Sequence, residues 1–294
     1  MFEKCRANRL FRSFLKRPDI EKAYAMVPPT DSWFDTITKV HDSLAQIRQL
    51  PHETWQMESF DGTNLQAIYY PGDSDRIVIC CHGYTSHAER EWAYPGLFYH
   101  SLGFHVLIPY QRAHGPSGGK WISFGAWEHK DVMLWAEKIR QKFPQGQILV
   151  HGLSMGGGIV LALADKPMEN VKALIADAPN VSIEAFLYGI TKYKCKDRAE
   201  RVYPHLLARF RKEFGVDVPS FNHVTNLAGG CYPLLLAAGS KEQMEEVFDK
   251  LKQANPMQTQ IVILPGCDHG NGMYKQTEMF QTAIKEFLDN TMTR

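Results

Sequence analysis

The sequence predicts an α/β fold: a mainly parallel eight-stranded sheet flanked by helices, with a small helical segment inserted after the sixth strand. Three observations predict it. Short apolar runs alternate with helix-like stretches along most of the chain, the pattern of crossover units that cover both faces of a parallel sheet. The run Gln147-Ile148-Leu149-Val150 leads through His151-Gly152-Leu153-Ser154-Met155-Gly156 into a small-residue stretch, 157–164, and reads as strand, tight turn and helix. Between Asn180 and Cys231 the alternation stops, and no strand-like core run occurs.

Composition narrows the class. The chain has 294 residues, 44% hydrophobic and 22% charged, enough for a substantial core. A net charge of +1 gives no reason to expect nucleic acid as a partner. No apolar run approaches the length that spans a bilayer, so no integral membrane segment is expected. The first ten residues lack the apolar core of a secretory signal. The cysteines, at positions 5, 80, 81, 195, 231 and 267, show no Cys-x-x-Cys spacing. Reduced, mostly buried thiols in a cytoplasmic protein are the expectation, with no metal and no cofactor.

Residues 1–17 are basic, with Leu10, Phe11, Phe14 and Leu15 forming an apolar stripe on a helix. A helix docked on the protein's own core is favoured over one lying on a membrane surface, because the stripe is short. Asp31 or Ser32 is placed to cap a helix reaching about Leu50. Two antiparallel strands, 54–60 and 65–70, flank the turn signal Asp61-Gly62. Strands are then expected at 76–81, 104–108, 147–150, 171–176, 232–238 and 260–264, with helices near 89–101, 127–142 and 274–289. The 180–231 segment reads as short helices: one from Ser182 to Ile190, one from Arg198 to Phe214 interrupted near Pro204, and a small one near Phe221. Its place after a strand's C-terminal end marks it as a cap or lid. The expected organisation is an N-terminal helical segment, 1–50, a core formed by 51–179 and 232–294, and the cap at 180–231.

Gly152-x-Ser154-x-Gly156 between a strand and a helix makes Ser154 the candidate nucleophile, its hydroxyl exposed beside a helix N-terminus. A serine at its free pKa needs a base. His269 lies in the Gly-rich loop Pro265-Gly-Cys-Asp-His-Gly-Asn-Gly272 after the last strand, in the order expected on this architecture. The acid that orients the imidazole should follow the strand 232–238, where Glu242 stands; Glu245, Glu246, Asp177 and Asp268 compete. Two backbone N–H groups must hold the oxyanion. Met155, directly after the nucleophile, is one. Tyr84, after His82-Gly83, is the other, with its side chain facing the substrate and its hydroxyl a further donor. His82 is read as holding that loop.

Taken in order, His82-Gly83-Tyr84, Gln111-Arg-Ala-His-Gly-Pro-Ser-Gly118, Gly152-Leu-Ser-Met-Gly156 and Asp268-His269-Gly270 resemble the α/β-hydrolase superfamily. More narrowly, Gln111 through Gly125 resembles a bacterial serine-hydrolase group, carboxylesterase- or peptidase-like, whose loop reads Gln-Arg-Ala-His-Gly-x-Ser-x-Gly-Lys-x-Ile-Ser-Phe-Gly. The likeness spans about Met57 to the C-terminus. It implies an α/β-hydrolase fold, a Ser-acid-His triad, a metal-free mechanism and action on esters or related acyl compounds. The family's acid usually stands in His-Gly-x-x-Asp; here the stretch is Ala238-Gly-Ser-Lys-Glu242. Tyr110 replaces an aspartate common in relatives.

The reading is a serine hydrolase, foremost a carboxylesterase acting on a small-molecule ester or acyl substrate. A peptidase or amidase of the same fold is the alternative, and a non-catalytic binding protein stands behind both. The stretch from Lys192 to Lys212 holds eight Lys or Arg against Asp197 and Glu200, read as an amphipathic cap with solvated charges ahead of a surface that steers anions. Tyr84, Trp92, Phe124, Phe186 and Tyr188 are candidates for an acyl pocket or for core. Oligomeric state is left open, a homo-oligomer included.

Overall fold

A computed structural model describes residues 2–19, 33–255 and 258–292. Eight strands form one sheet: β1 (Glu53–Glu58), β2 (Asn64–Tyr70), β3 (Arg76–Cys81), β4 (His105–Tyr110), β5 (Gln147–Leu153), β6 (Val171–Asp177), β7 (Leu234–Gly239) and β8 (Thr259–Leu264), in the order β1-β2-β4-β3-β5-β6-β7-β8. β1 and β2 form a hairpin in which Trp55 pairs with Ala67 and Met57 with Leu65, and β2 also runs antiparallel to β4. All later pairings are parallel. The central strands are continuous apolar runs because both faces are covered. Ile77 through Cys81 are fully buried, as are Ile148 through Val150 and Ala173 through Ala176. The parallel strands end together at one edge, where β6 ends on Asp177 and the segments leaving the other strands carry Tyr84, Ser154, Glu242 and His269.

Helices cover both faces. On one lie α4 (Glu128–Lys142), α5 (Met155–Leu163), α8 (His223–Ala228) and α9 (Glu245–Ala254). α4 buries Val132, Trp135, Ala136 and Ile139, the spacing of a single helical stripe. On the other lie α2 (Ile37–Ile47), α3 (Ala88–Ser101) and α11 (Thr277–Thr291), the last contributing Phe280, Ile284 and Phe287. A third apolar cluster lies outside these layers. It joins α1 (Phe2–Leu15), α6 (Ile183–Cys195) and α7 (Ala199–Phe214) to Ala113, Ile122, Phe124 and Met155. Ala7, Leu10, Phe11 and Leu15 of α1 are buried there, so the N-terminal stripe docks on the protein itself. The chain after α1 is held by Ile122 N–H donating to Leu15 O at 2.7 Å and Arg17 N–H to Lys120 O at 2.9 Å.

Several expectations change. α7 runs unbroken through Pro204. A proline inside a helix costs about 3 kcal/mol. Val202, Leu206, Phe210 and Phe214 are all buried on one side of α7. Each contributes roughly 1.5–3 kcal/mol on burial, which outweighs the break. α6 begins where Ser182 accepts from Ala185 N–H at 3.0 Å and extends to Cys195, beyond the expected Ile190. The small helix near Phe221 is α8, capped by Asn222 Oδ1 on Val224 N–H. The final helix is two, a single turn α10 (Gly272–Lys275) and then α11. Asp31 and Ser32 lie outside the described residues; α2 is entered from a 3₁₀ turn, Phe34–Thr36, and ends at Ile47, short of Leu50. No helix of the described residues is long and apolar enough to cross a membrane.

Candidate active site

The backbone between β5 and α5 is a forced turn. Ser154 has φ 58° and ψ −112°, a left-handed conformation costly for any residue with a Cβ. The two glycines make room for it. A Cβ on Gly152 would lie 2.1 Å from Gly156 O, and one on Gly156 would lie 1.9 Å from Cys81 O. Both sides of Ser154 are then tied to the end of β6 and the chain just beyond it: its N–H donates to Asp177 O at 2.9 Å, and its carbonyl accepts from Asn180 N–H at 2.8 Å. The strain is thus held by β3, β6 and α5.

Three of the residues singled out in sequence meet here. Ser154 Oγ is 2.8 Å from His269 Nε2. His269 Nδ1 is 2.6 Å from Glu242 Oε2. Glu242 ends the 3₁₀ turn Ser240–Glu242, and its other oxygen accepts from Gly239 N–H at 2.9 Å, which fixes the carboxylate at both oxygens. A carboxylate can only accept, so Nδ1 carries the proton and Nε2 is free to accept from the serine hydroxyl. The hydrogen bond to Glu242 holds the His269 imidazole above its usual pKa, against the opposing pull of burial.

The competing acids stand elsewhere. Asp268 pairs with Lys241 at 2.9 Å, Glu246 pairs with Lys250 at 2.7 Å, and Glu245 is exposed. Asp177 is buried at the end of β6, and no donor reaches its carboxyl among the described residues. Burial, and next the charge of Glu242, push it up to about 8, so near neutrality it is uncharged.

Met155 follows Ser154 directly in the chain, and Tyr84 follows Gly83, where a Cβ would lie 3.4 Å from Ser154 Cβ. Met155 is the first residue of α5, so its N–H has no acceptor within the helix. The Tyr84 N–H likewise donates to no protein group among the described residues. The loop before it is held by His82, fully buried, whose Nδ1–H donates to Gly83 O at 2.8 Å while its Nε2 accepts from Gln111 N–H at 3.1 Å. Burial drives the His82 imidazole well below its ordinary pKa, and it stays neutral. The Tyr84 hydroxyl departs from expectation. It donates to Phe14 O at 2.6 Å, at the end of α1, and so is engaged away from the serine.

Of the five aromatic candidates, Tyr84, Phe124 and Phe186 form one group, with centroid separations of 5.0 Å from Tyr84 to Phe124 and 4.0 Å from Phe124 to Phe186. Trp92 is core, packed on His151. Tyr188 of α6 is half-buried, bonded to Glu200 and edge-on to Tyr203. Tyr110 covers Gly115: a Cβ there would fall 2.5 Å from its ring. Arg112, buried with Asp131 at 2.7 Å and Asp61 at 3.0 Å, ties the same loop to α4 and the β1–β2 turn.

Sequence reasoning passed over two contacts. Gln111 holds His82 through both backbone and side chain, the latter donating to His82 O at 2.7 Å. Trp33 Nε1–H donates to His269 O at 3.2 Å from the far end of the chain. Neither carries a local signal, because each depends on a partner distant in sequence. No group of three or more His, Cys, Asp or Glu that could hold a metal occurs among the described residues.

Comparison with known proteins agrees on the architecture. A family model described as alpha/beta hydrolase fold matches residues 76–194. The uncharacterised protein YqkD of Bacillus subtilis is 26% identical over 274 residues, covering 85% of this chain and 83% of that one. A monoacylglycerol lipase of Mycolicibacterium smegmatis is 28% identical over 123 residues, covering 39% of this chain and 42% of that one. Among solved structures, the esterase Pf2001 of Pyrococcus furiosus superposes with a TM-score of 0.67 at 23% identity, covering 86% of this chain and 95% of that one. With its sheet order, its strained serine turn and these similarities, the chain has the α/β-hydrolase fold.

Proposed function

We propose that the protein is a serine hydrolase that cleaves carboxylic esters through an acyl-enzyme intermediate. The observation that carries this reading is the unbroken chain of contacts from Glu242 through His269 to Ser154, at 2.6 and 2.8 Å. In the first step His269 Nε2 takes the Ser154 proton as Oγ attacks the carbonyl carbon. Glu242 holds the imidazole in the competent tautomer and stabilises its charged form without taking the proton. The N–H groups of Tyr84 and Met155, neither with a protein acceptor among the described residues, receive the oxyanion. His269 then protonates the leaving alcohol. Water enters by the same route in reverse and releases the acid.

Residues 180–231 are read as a cap over the sheet's C-terminal edge. Phe186 of that segment meets Tyr84 and Phe124, so the cap and the oxyanion loop share an apolar wall suited to an acyl chain. The ester reading draws support from the names of two similar proteins, the M. smegmatis monoacylglycerol lipase and the P. furiosus esterase. A panel of p-nitrophenyl esters of increasing acyl length, run beside aminoacyl anilides, tests the proposal. Turnover of esters well above anilides is expected. Preferential cleavage of the anilides would replace esterase by peptidase, and no turnover of either class would remove the hydrolase reading.

A further inference from the structure

Gly83 poses a problem for the loop that carries Tyr84. A side chain there would crowd the site: a Cβ would lie 3.3 Å from Glu91 Oε2 and 3.4 Å from Ser154 Cβ. Glycine removes the crowding but leaves the backbone free to rotate. The orientation of the next N–H must therefore be imposed from outside.

Three side chains impose it. The peptide between His82 and Gly83 is held at both ends, its carbonyl by Gln111 Nε2–H at 2.7 Å and its N–H by Glu91 Oε1 at 2.7 Å. The carbonyl of the following peptide, Gly83 O, accepts from His82 Nδ1–H at 2.8 Å. There is no cis peptide in the described residues, so the Tyr84 N–H of that same peptide points away from its own carbonyl, and hence away from His82. Of the three, Glu91 alone comes from a helix, in the first turn of α3. Its carboxyl also accepts from the Ser86 side chain.

We propose that Glu91 is a positioning residue of the acyl-transfer site: by holding the Gly83 N–H it sets the peptide that presents the Tyr84 N–H to the oxyanion, without itself touching substrate. The inference rests on the serine-hydrolase reading above. Burial pushes the Glu91 carboxyl up to about 7, while the bonds from Ser86 and Gly83 and the nearby His269 pull it down. The charge of Glu91 in turn helps raise the Asp177 carboxyl. A carboxyl kept there against its solvation preference has a use beyond complementing a helix dipole, which a solvated glutamate serves equally well.

The test compares Glu91→Gln, Glu91→Asp and Glu91→Leu with the parent enzyme on one soluble ester. kcat, KM, melting temperature and inhibition by a trifluoromethyl ketone, which forms a tetrahedral adduct, are read for each. The glutamine keeps an acceptor at the same reach and should hold kcat within about threefold. The aspartate keeps the charge but withdraws the oxygen by one methylene, and should lose about tenfold in kcat. The leucine should lose about 10²-fold in kcat with KM within about twofold, and bind the ketone correspondingly more weakly, as when an oxyanion donor is displaced. Equal kcat in the Gln, Asp and parent proteins overturns the proposal, even if the leucine variant does not fold. So does a leucine variant that loses only melting temperature. A parent enzyme that turns over no ester instead defeats the hydrolase reading on which the inference rests.

Discussion

Replacing Glu242 by glutamine tests the contact on which His269 depends. In the structure one carboxylate oxygen holds Gly239 N–H and the other takes the proton of His269 Nδ1. A glutamine that keeps its oxygen on Gly239 turns its NH₂ toward Nδ1. The imidazole then accepts at Nδ1 and carries its proton on Nε2, where it cannot receive one from Ser154. Loss of the correct tautomer is worth about 10⁴-fold in kcat, or about 5 kcal/mol of transition-state stabilisation. The pH profile should shift as well. Glu242 raises the His269 pKa above its ordinary 6.5, so the neutral base form is populated only as pH rises through that raised value. The acid limb of kcat/KM in the parent enzyme should therefore lie above 6.5 and move to lower pH in Glu242→Gln, while the plateau falls. The pair's own stabilisation follows the same sign, full below the unfolded value and lost as pH rises through the folded one. Rates on a soluble ester from pH 5 to 9, with melting temperatures as a control on folding, make the measurement. A plateau within about tenfold of the parent, or an unmoved acid limb, would refute the reasoning and point to another acid.

Other substitutions probe separate parts. Gly156→Ala puts a methyl group 1.9 Å from Cys81 O and should cost about 3 kcal/mol or more, seen as a large fall in denaturation midpoint; a neutral result contradicts the tight turn. Tyr84→Phe removes the bond to Phe14 O but leaves the Tyr84 N–H, so about 1 kcal/mol of stability should go while kcat stays within about twofold; a large kcat loss would return the hydroxyl to the chemistry. Asp177→Asn should stabilise the protein most above pH 8. Its folded pKa is about 8, so the stability its proton supports is complete below the unfolded value and lost as pH rises through 8; chemical denaturation at pH 6 and 9 checks the sign. Neutral and carboxylate-bearing esters should show the same salt dependence, because Lys192 pairs with Glu200 and Arg209 with Glu213; a steep fall for the anionic ester alone would establish steering.

What the sequence disclosed follows from range. The buried strands announce themselves as apolar runs of about the observed length, and the Ser154 turn as glycines at fixed offsets. These are local signals; the sheet is legible from them, and so is the candidate order Ser154, Glu242, His269, whose side chains the structure brings into contact. Pro204 misled because a local helix breaker was overruled by four buried residues on α7 and by α1, far away in sequence. The Tyr84 hydroxyl was misassigned for a similar reason: its partner is a backbone carbonyl seventy positions earlier. Glu91 is a first-turn acid of α3, and only the approach of Gly83 gives it another use. Fixing a loop by side chains from other elements leaves no periodicity to read.

The central claim is that Ser154 is the nucleophile activated by His269. Labelling the intact protein with a fluorophosphonate and locating the adduct by peptide mass spectrometry tests it most directly. The account predicts one adduct, on Ser154, absent in Ser154→Ala and strongly slowed in His269→Ala with the fold retained. Undiminished labelling of Ser154→Ala, or an adduct on any other residue, would contradict it.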